Sequence, residues 1–476
     1  MEGRMEGRME GRRMEGRVEG RVEGRVEGRV EQAAADRPFV LDPTGRDIHA
    51  EAARLRALGP AVRVELPGGV PAWAVCGQAP LRRLLTDPRV SKDAHRHWAA
   101  WIDGEVGADW QLVAWVGARN MFTAYGSDHR RLRGLVSSAF TARRTAALRP
   151  RIEEIVSTAL DDLPGDEPVD LRAHYAYPIP VNVICELFGV TDDGTRTRLR
   201  RCIDAFFRTA ADPREAAEAY PRIQHILREL IAEKRLHPGD DLSSALIAAR
   251  DDTPHLPDGV LEGGAAHDGG PHLPEGEAAR DGGSHLPEGG SRLSEDELVD
   301  TLSLFLSAGH ESTVNLLDNA VFELLTHPDQ LDLVRTGQVT WAAVIEETLR
   351  HQAPVASIPL RYAVEDIDLD GVTLRAGDAI LACYAAAGRD PLVHGPDAGR
   401  FDVTRPAKDH LSFGHGAHHC LGAPLARMEA LVALPALFDR YPELALAAEA
   451  GPPAPMESFI SNGHRALPVR LGKASR

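Results

Sequence analysis

The stretch from Ser294 to Pro328 constrains the fold of this chain more than any other. Ser294-Glu295-Asp296-Glu297 is a capping-box pattern, and Leu298, Leu302, Phe305 and Leu306 follow at helical spacing until Thr326-His327-Pro328 stops the run. The spacing predicts a helix of about thirty residues, which at 1.5 Å per residue crosses a whole domain. Its middle reads Ala308-Gly309-His310-Glu311-Ser312-Thr313. Glycine beside hydroxyl side chains weakens the helical ladder, because the hydroxyls can bond carbonyls instead. A local opening is expected there, offering an acid, Glu311, and an alcohol, Ser312, to a pocket.

Most of the remaining chain is helical by pattern. Val62 to Leu66, the turn Pro67-Gly68-Gly69 and Ala72 to Val75 predict a hairpin, and Arg361 to Tyr384 predicts a second strand region turning at Asp370-Gly371 and Ala376-Gly377. The expectation is a mainly α fold with small β-sheets beside a helical mass. Two tracts stand apart from it. Residues 1–32 carry a Met-Glu-Gly-Arg and Val-Glu-Gly-Arg repeat with too little apolar surface to offset ordering, so a disordered tail is expected. Residues 251–292 repeat His-Leu-Pro units at His255, His272 and His285, too short and polar to stack a core, which predicts an exposed loop insertion rather than a metal site. Between tail and C-terminus, 33–476 is expected to be one large domain.

Cys420 lies in Phe413-Gly414-His415-Gly416-Ala417-His418-His419-Cys420-Leu421-Gly422, ahead of an amphipathic stretch from Ala423 to Ala430. A cysteine on a glycine-rich loop that opens a helix is held as a thiolate by backbone N–H groups and the positive helix end, which makes it a metal-ligand candidate. A buried inert cysteine is the alternative. Structural zinc needs a second cysteine or a histidine pair at fixed spacing, which His415, His418 and His419 do not supply.

The order Phe-Gly-x-Gly-x-His-x-Cys-x-Gly resembles the haem-ligand loop of the cytochrome P450 monooxygenases, and the resemblance extends over about residues 37–472. It implies the P450 fold, with haem b held between a long distal helix and a proximal helix behind the ligand Cys420. Phe413 and Gly422 are the corresponding loop positions. Ala308-Gly309-x-Glu311-Ser312 resembles the oxygen-binding helix, so Ala308 and Gly309 are expected on the haem face, with Glu311 and Ser312 as the catalytic acid and alcohol. Serine replaces the usual threonine, keeping the hydroxyl and losing the methyl that fixes its rotamer. Glu347-x-x-Arg350 resembles the family's buried structural pair, with Arg400 as the expected third member. His129 and Arg133, one helical turn apart, resemble the propionate-binding pair, and Arg361 and His418 are expected to complete that shell. Four tryptophans, Trp98, Trp101, Trp110 and Trp115, fall where the family closes over its substrate, which fits a flat apolar or aromatic ligand.

With 54 Lys+Arg against 71 Asp+Glu, net charge −17 argues against nucleic acid and anionic membranes as general partners. No apolar run of ~18 residues is present, and the five cysteines are odd in number and widely spaced. A cytoplasmic monomer is expected. The resemblance further implies dioxygen chemistry, with electrons arriving singly from NAD(P)H through a separate ferredoxin or flavodoxin and its reductase. Exposed arginines, Arg130 and Arg131 among them, are expected to steer that acidic partner. The expected reaction is hydroxylation of a hydrophobic steroid-like or polyketide substrate. The alternative is oxidative coupling of aromatic units, such as tryptophan-containing cyclodipeptides. A haem sensor and a peroxide-driven enzyme are disfavoured by the acid–alcohol pair. The actinomycete branch containing steroid hydroxylases and natural-product tailoring enzymes looks nearest.

Overall fold

The computed structural model describes residues 38–475 except 108, 138–139, 141, 166–167, 208–212 and 252–291. The repeat tail at 1–32 and nearly all of the insertion at 251–292 lie outside the described residues. The long helix runs from Glu295 to Thr326, 32 residues, and its start is a true capping box: Ser294 Oγ accepts from Glu297 N while Glu297 returns to the Ser294 N–H. Other helices surround it, among them Pro178–Phe188, Pro213–Leu236, Trp341–His351 and Ala423–Arg440. This explains why so much of its circumference is apolar: Leu298, Leu302, Leu316 and Leu324 are all buried.

Ile367–Leu369 and Val372–Leu374, within the second predicted strand region, form a two-stranded sheet of their own, but the remaining strands of the two regions do not form separate sheets. They join in one six-stranded sheet, ordered Phe39–Val40, Val62–Leu66, Val70–Val75, Ala379–Cys383, Ser357–Ala363, Val90–Ser91. The junction is parallel, Trp73 opposite Ile380 and Val75 opposite Ala382. The indole N–H of Trp73 donates to Asp378 Oδ2 at 2.8 Å beside it. Asp370 (φ 54°) and Gly371 (φ 88°) make the tight turn between Ile367–Leu369 and Val372–Leu374, as an Asp-Gly pair should. No described helix is long and apolar enough to cross a membrane.

Two glycines place the cysteine loop. Gly414 and Gly416 have φ of 70° and 69°, and a Cβ on Gly416 would lie 2.5 Å from the Leu85 carbonyl. The loop therefore sits tightly on the helix Gln78–Thr86, and the Ala423–Arg440 helix follows with Pro424 in its first turn.

Candidate active site

Cys420 opens on a cavity of about 1780 Å³, part of it open to solvent, between the long helix and the 413–426 segment. Its N–H donates to the Phe413 carbonyl at 2.8 Å. The sulfur is accessible from this cavity and otherwise surrounded by protein. That burial pushes the thiol up, while the N–H groups of Gly422 and Ala423 and the charges of Arg133 and Arg427 pull it down. A thiolate here calls for a cation against it, as in metal ligation. Among the described residues no group of three His, Cys, Asp or Glu forms a metal cluster, so His415, His418 and His419 do not build a zinc site around Cys420.

Opposite Cys420 the long helix presents Ala308, Gly309, Ser312 and Thr313 to the cavity. The expected opening is absent, since the segment is α-helical throughout and Ser312 Oγ donates to the Ala308 carbonyl at 2.8 Å. Gly309 serves packing as well, because a Cβ there would lie 2.9 Å from Ile184 Cδ1. Glu311 departs from its expected place. It is buried away from the cavity wall, and Oε1 accepts from Arg172 Nη2 at 2.7 Å. Arg172 also donates to Asn315 Oδ1 at 2.8 Å and lies 3.6 Å from Asp318. The reason is helical geometry: neighbouring residues point about 100° apart, so residues 308 and 312 share the cavity face and 311 turns behind it.

Glu429, which sequence reasoning missed, is the only carboxyl side chain among the described cavity-lining residues. It is buried, its Oε2 has no protein partner, and burial pushes its pKa well up. The available signal was an acid set among Ala430, Val432 and Ala433.

A ring of donors forms one side of the cavity. Arg133, on the helix Gly126–Ser137, donates to the His419 carbonyl at 2.8 Å, and His129 from the same helix lays its ring 4.0 Å from that of His418. Arg361 Nη2 donates to Tyr384 Oη at 3.1 Å, while its Nη1 and His129 Nε2 are buried without partners. Lys92, another residue missed, joins them: it is buried, its Nζ sits 3.7 Å over the Phe122 ring, and burial pushes its pKa well down. Burial likewise pushes His418 far below the usual histidine range, with Lys92 adding to the effect. Such partnerless buried donors beside an apolar cavity suit a ligand carrying two carboxylates. With Cys420 two residues from His418 on the same cavity, this donor set fits a haem.

Glu347 and Arg350 form a fully buried bidentate pair at 2.7 and 2.8 Å. The third member is corrected. Arg400 supplies only its carbonyl, accepting from Arg350 Nη2 at 2.9 Å, with its side chain exposed. Arg405 brings the guanidinium, 3.6 Å from Glu347, steered there by Asp397 and the His394 carbonyl.

The tryptophan lid is corrected too. Trp98 and Trp110 are buried in the core under the six-stranded sheet, Trp98 stacking on Trp101 and Tyr362, and only Trp115 lines the cavity. Arg131 is not a free surface charge, because it pairs with Glu297 at the start of the long helix. Arg130 is exposed.

Comparison with known proteins agrees with this geometry. The cytochrome P450 family model matches residues 112–337 and 341–463. The 2-hydroxy-5-methyl-1-naphthoate 7-hydroxylase of Streptomyces carzinostaticus is 41% identical over 446 residues, covering 92% of this chain and 98% of that protein. The structure of CYP154A1 from Streptomyces coelicolor A3(2) is similar at 50% identity and a TM-score of 0.79, covering 91% of this chain and all of that one (100%). The "Testerone bound" CYP154C4 from Streptomyces sp. ATCC 11861 gives 40% identity and a TM-score of 0.81, with 92% of this chain and 100% of the other covered. A cysteine loop, a hydroxyl-bearing long helix and a donor ring around one apolar cavity, matched along nearly the whole chain, place this protein in the cytochrome P450 family.

Proposed function

We propose that this monooxygenase hydroxylates a hydrophobic, steroid-like or polyketide natural product, with single electrons passed from NAD(P)H through a reductase and a ferredoxin-type partner. The observation that carries the reading is the cavity. Its walls are mainly apolar, including Met121, Phe140, Ile184 and Phe305, which suits a hydrophobic ligand. The naphthoate hydroxylase and the steroid-bound relative are consistent with a polycyclic ligand.

Family membership implies haem, which when bound at Cys420 supplies activation of dioxygen. The chain's own residues do the rest. Cys420 would be the thiolate ligand, and Lys92, Arg133 and Arg361, with His129 and His418, would hold the two propionates. Ser312 keeps a hydroxyl on the cavity face for a proton-carrying water. The apolar walls exclude bulk water and orient the substrate. Oxidative coupling draws no support from the tryptophans, three of which are directed away from the cavity.

The test is spectroscopic titration of purified holoenzyme with steroids, macrolactones and aromatic cyclodipeptides. Steroids or macrolactones are expected to drive the low-spin to high-spin shift, and turnover is expected to give a product one oxygen heavier. A shift produced by cyclodipeptides alone, with dimeric products, would overturn the proposal in favour of coupling.

A further inference from the structure

The cavity has a second polar region whose hydrogen-bonding sense is the reverse of the donor ring. Ser303 and Ser307 lie four residues apart on the long helix, share a face, and both line the cavity. Tyr220, from the helix Pro213–Leu236, lines it as well. The protons of two of these hydroxyls are already directed elsewhere. Tyr220 donates to Asp300 Oδ1 at 3.1 Å, and Ser303 donates to the Val299 carbonyl at 2.8 Å.

Asp300 is fixed as the receiver. It accepts from Gln224 Nε2 at 2.6 Å and from Arg119 N at 3.2 Å, so each group around its carboxylate is a donor. A hydroxyl whose proton is spent offers only lone pairs. Ser307 is buried, and its Oγ has no partner. Asn120 on the same wall is tied down by both ends of its amide: Nδ2 donates to the Asp300 carbonyl at 3.4 Å, and Oδ1 accepts from Phe122 N at 2.9 Å.

We propose that Tyr220, Ser303 and Ser307 form an acceptor subsite for a hydroxyl group of the substrate, with Asp300 as the positioning residue that sets the phenol's polarity. The subsite spans one turn of the long helix, from Ser303 to Ser307, and adjoins Ala308 on the cavity wall. A substrate hydroxyl donates to the Tyr220 oxygen and can accept from the free Ser307 hydroxyl. A ketone at the same position can accept from Ser307 but brings no proton to the Tyr220 oxygen, which is left unpaired in a dry site. The proposal rests on the hydrophobic-substrate reading above and narrows it to apolar scaffolds bearing an alcohol.

The test uses holoenzyme and alcohol–ketone pairs that share a scaffold, testosterone with androstenedione and cyclododecanol with cyclododecanone, read by the spin shift. At least one pair is expected to show the alcohol bound about threefold to tenfold more tightly. Tyr220→Phe should erase that preference while leaving ketone affinity unchanged, so the ketone serves as the internal control for folding. Ser307→Ala should reduce the preference partway. Binding of both members without preference, or a preference that survives Tyr220→Phe, overturns the subsite and leaves the hydrophobic-substrate reading standing. Absence of any spin shift across the panel overturns both.

Discussion

Ser312 presents a hydroxyl, and no methyl, on the cavity face of the long helix, with its proton resting on the Ala308 carbonyl. Ser312→Ala should keep haem content and the ligand-induced spin shift, since it removes no packing volume of note. Product per NAD(P)H is expected to fall about tenfold or more, with peroxide taking the difference, because a positioned proton donor contributes ~10²–10⁴ in rate. Ser312→Thr should match or exceed wild type in the same ratio. An Ala variant as well coupled as wild type would shift the role to Thr313, the neighbouring hydroxyl on the cavity. Arg172 makes a contrasting case, holding Glu311, Asn315 and Asp318 together in the interior. Arg172→Met removes the buried guanidinium that neutralises Glu311 and lies beside Asp318, and denaturant unfolding should show a loss of about 3–5 kcal/mol. Arg149→Met, which breaks only the exposed pair with Glu153, should cost about 1 kcal/mol or less. These residues also show what the chain alone discloses. The placement of Cys420 and Ser312 on one cavity, and the Glu347–Arg350 pair, were legible because each signal sits within a few consecutive positions. Lys92, Arg405 and Glu429 were not, because burial of a lone charge depends on which distant segments fold over it.

Glu346 ties the helix Trp341–His351 to the helix Ala423–Arg440. It receives Arg427 at 2.6 and 2.9 Å, and lies 3.1 Å from His410 on the cysteine-loop side. Burial alone would push its pKa up, but Arg427 and His410 more than offset that and hold it at about 2, against an ordinary 4.5. A carboxyl with a depressed folded pKa adds stability above its unfolded pKa and loses it as pH falls toward the folded one. The contribution of this contact should therefore be full above about pH 4.5 and fade between there and about pH 2. Glu346→Gln should lower the melting temperature at neutral pH and flatten its acid dependence in that window. Equal slopes for the two proteins would show that the pair carries no linkage. The elements themselves were readable to unequal degrees. The capping box and apolar spacing gave the long helix to within a residue or two, and Asp370-Gly371 gave its turn. The single six-stranded sheet was hidden, since Val70–Val75 pairs with Ala379–Cys383 some three hundred residues later and neither strand carries a mark of the other. The tryptophan cluster misled for a related reason: ring density marks burial as readily as ligand contact, and here Trp98 and Trp110 pack under that sheet.

At the scale of the whole molecule, net charge −17 sets a long-range repulsion against any acidic electron donor, and docking must depend on a local basic area. Arg130 is exposed on the helix that also carries Arg133, whose guanidinium reaches the carbonyl of His419 next to Cys420. Screening separates the two fields. At ~0.01 M salt the Debye length is about 30 Å, so the net repulsion reaches the partner; at ~0.1 M it is about 10 Å, and chiefly the facing patch is felt. Reduction by an acidic ferredoxin should therefore be limited by repulsion at the lowest salt and then fall as higher salt screens the local attraction. Arg130→Glu should slow reduction several-fold at moderate salt and remove most of the fall at high salt. Arg131→Glu is expected to behave differently. Its guanidinium holds Glu297 within the capping box of the long helix, so reversal should lower thermal stability more than it alters docking. Stopped-flow reduction across a salt series, with melting curves for both variants, separates these outcomes. An Arg130→Glu protein reduced at the wild-type rate throughout would place the docking face elsewhere on the molecule.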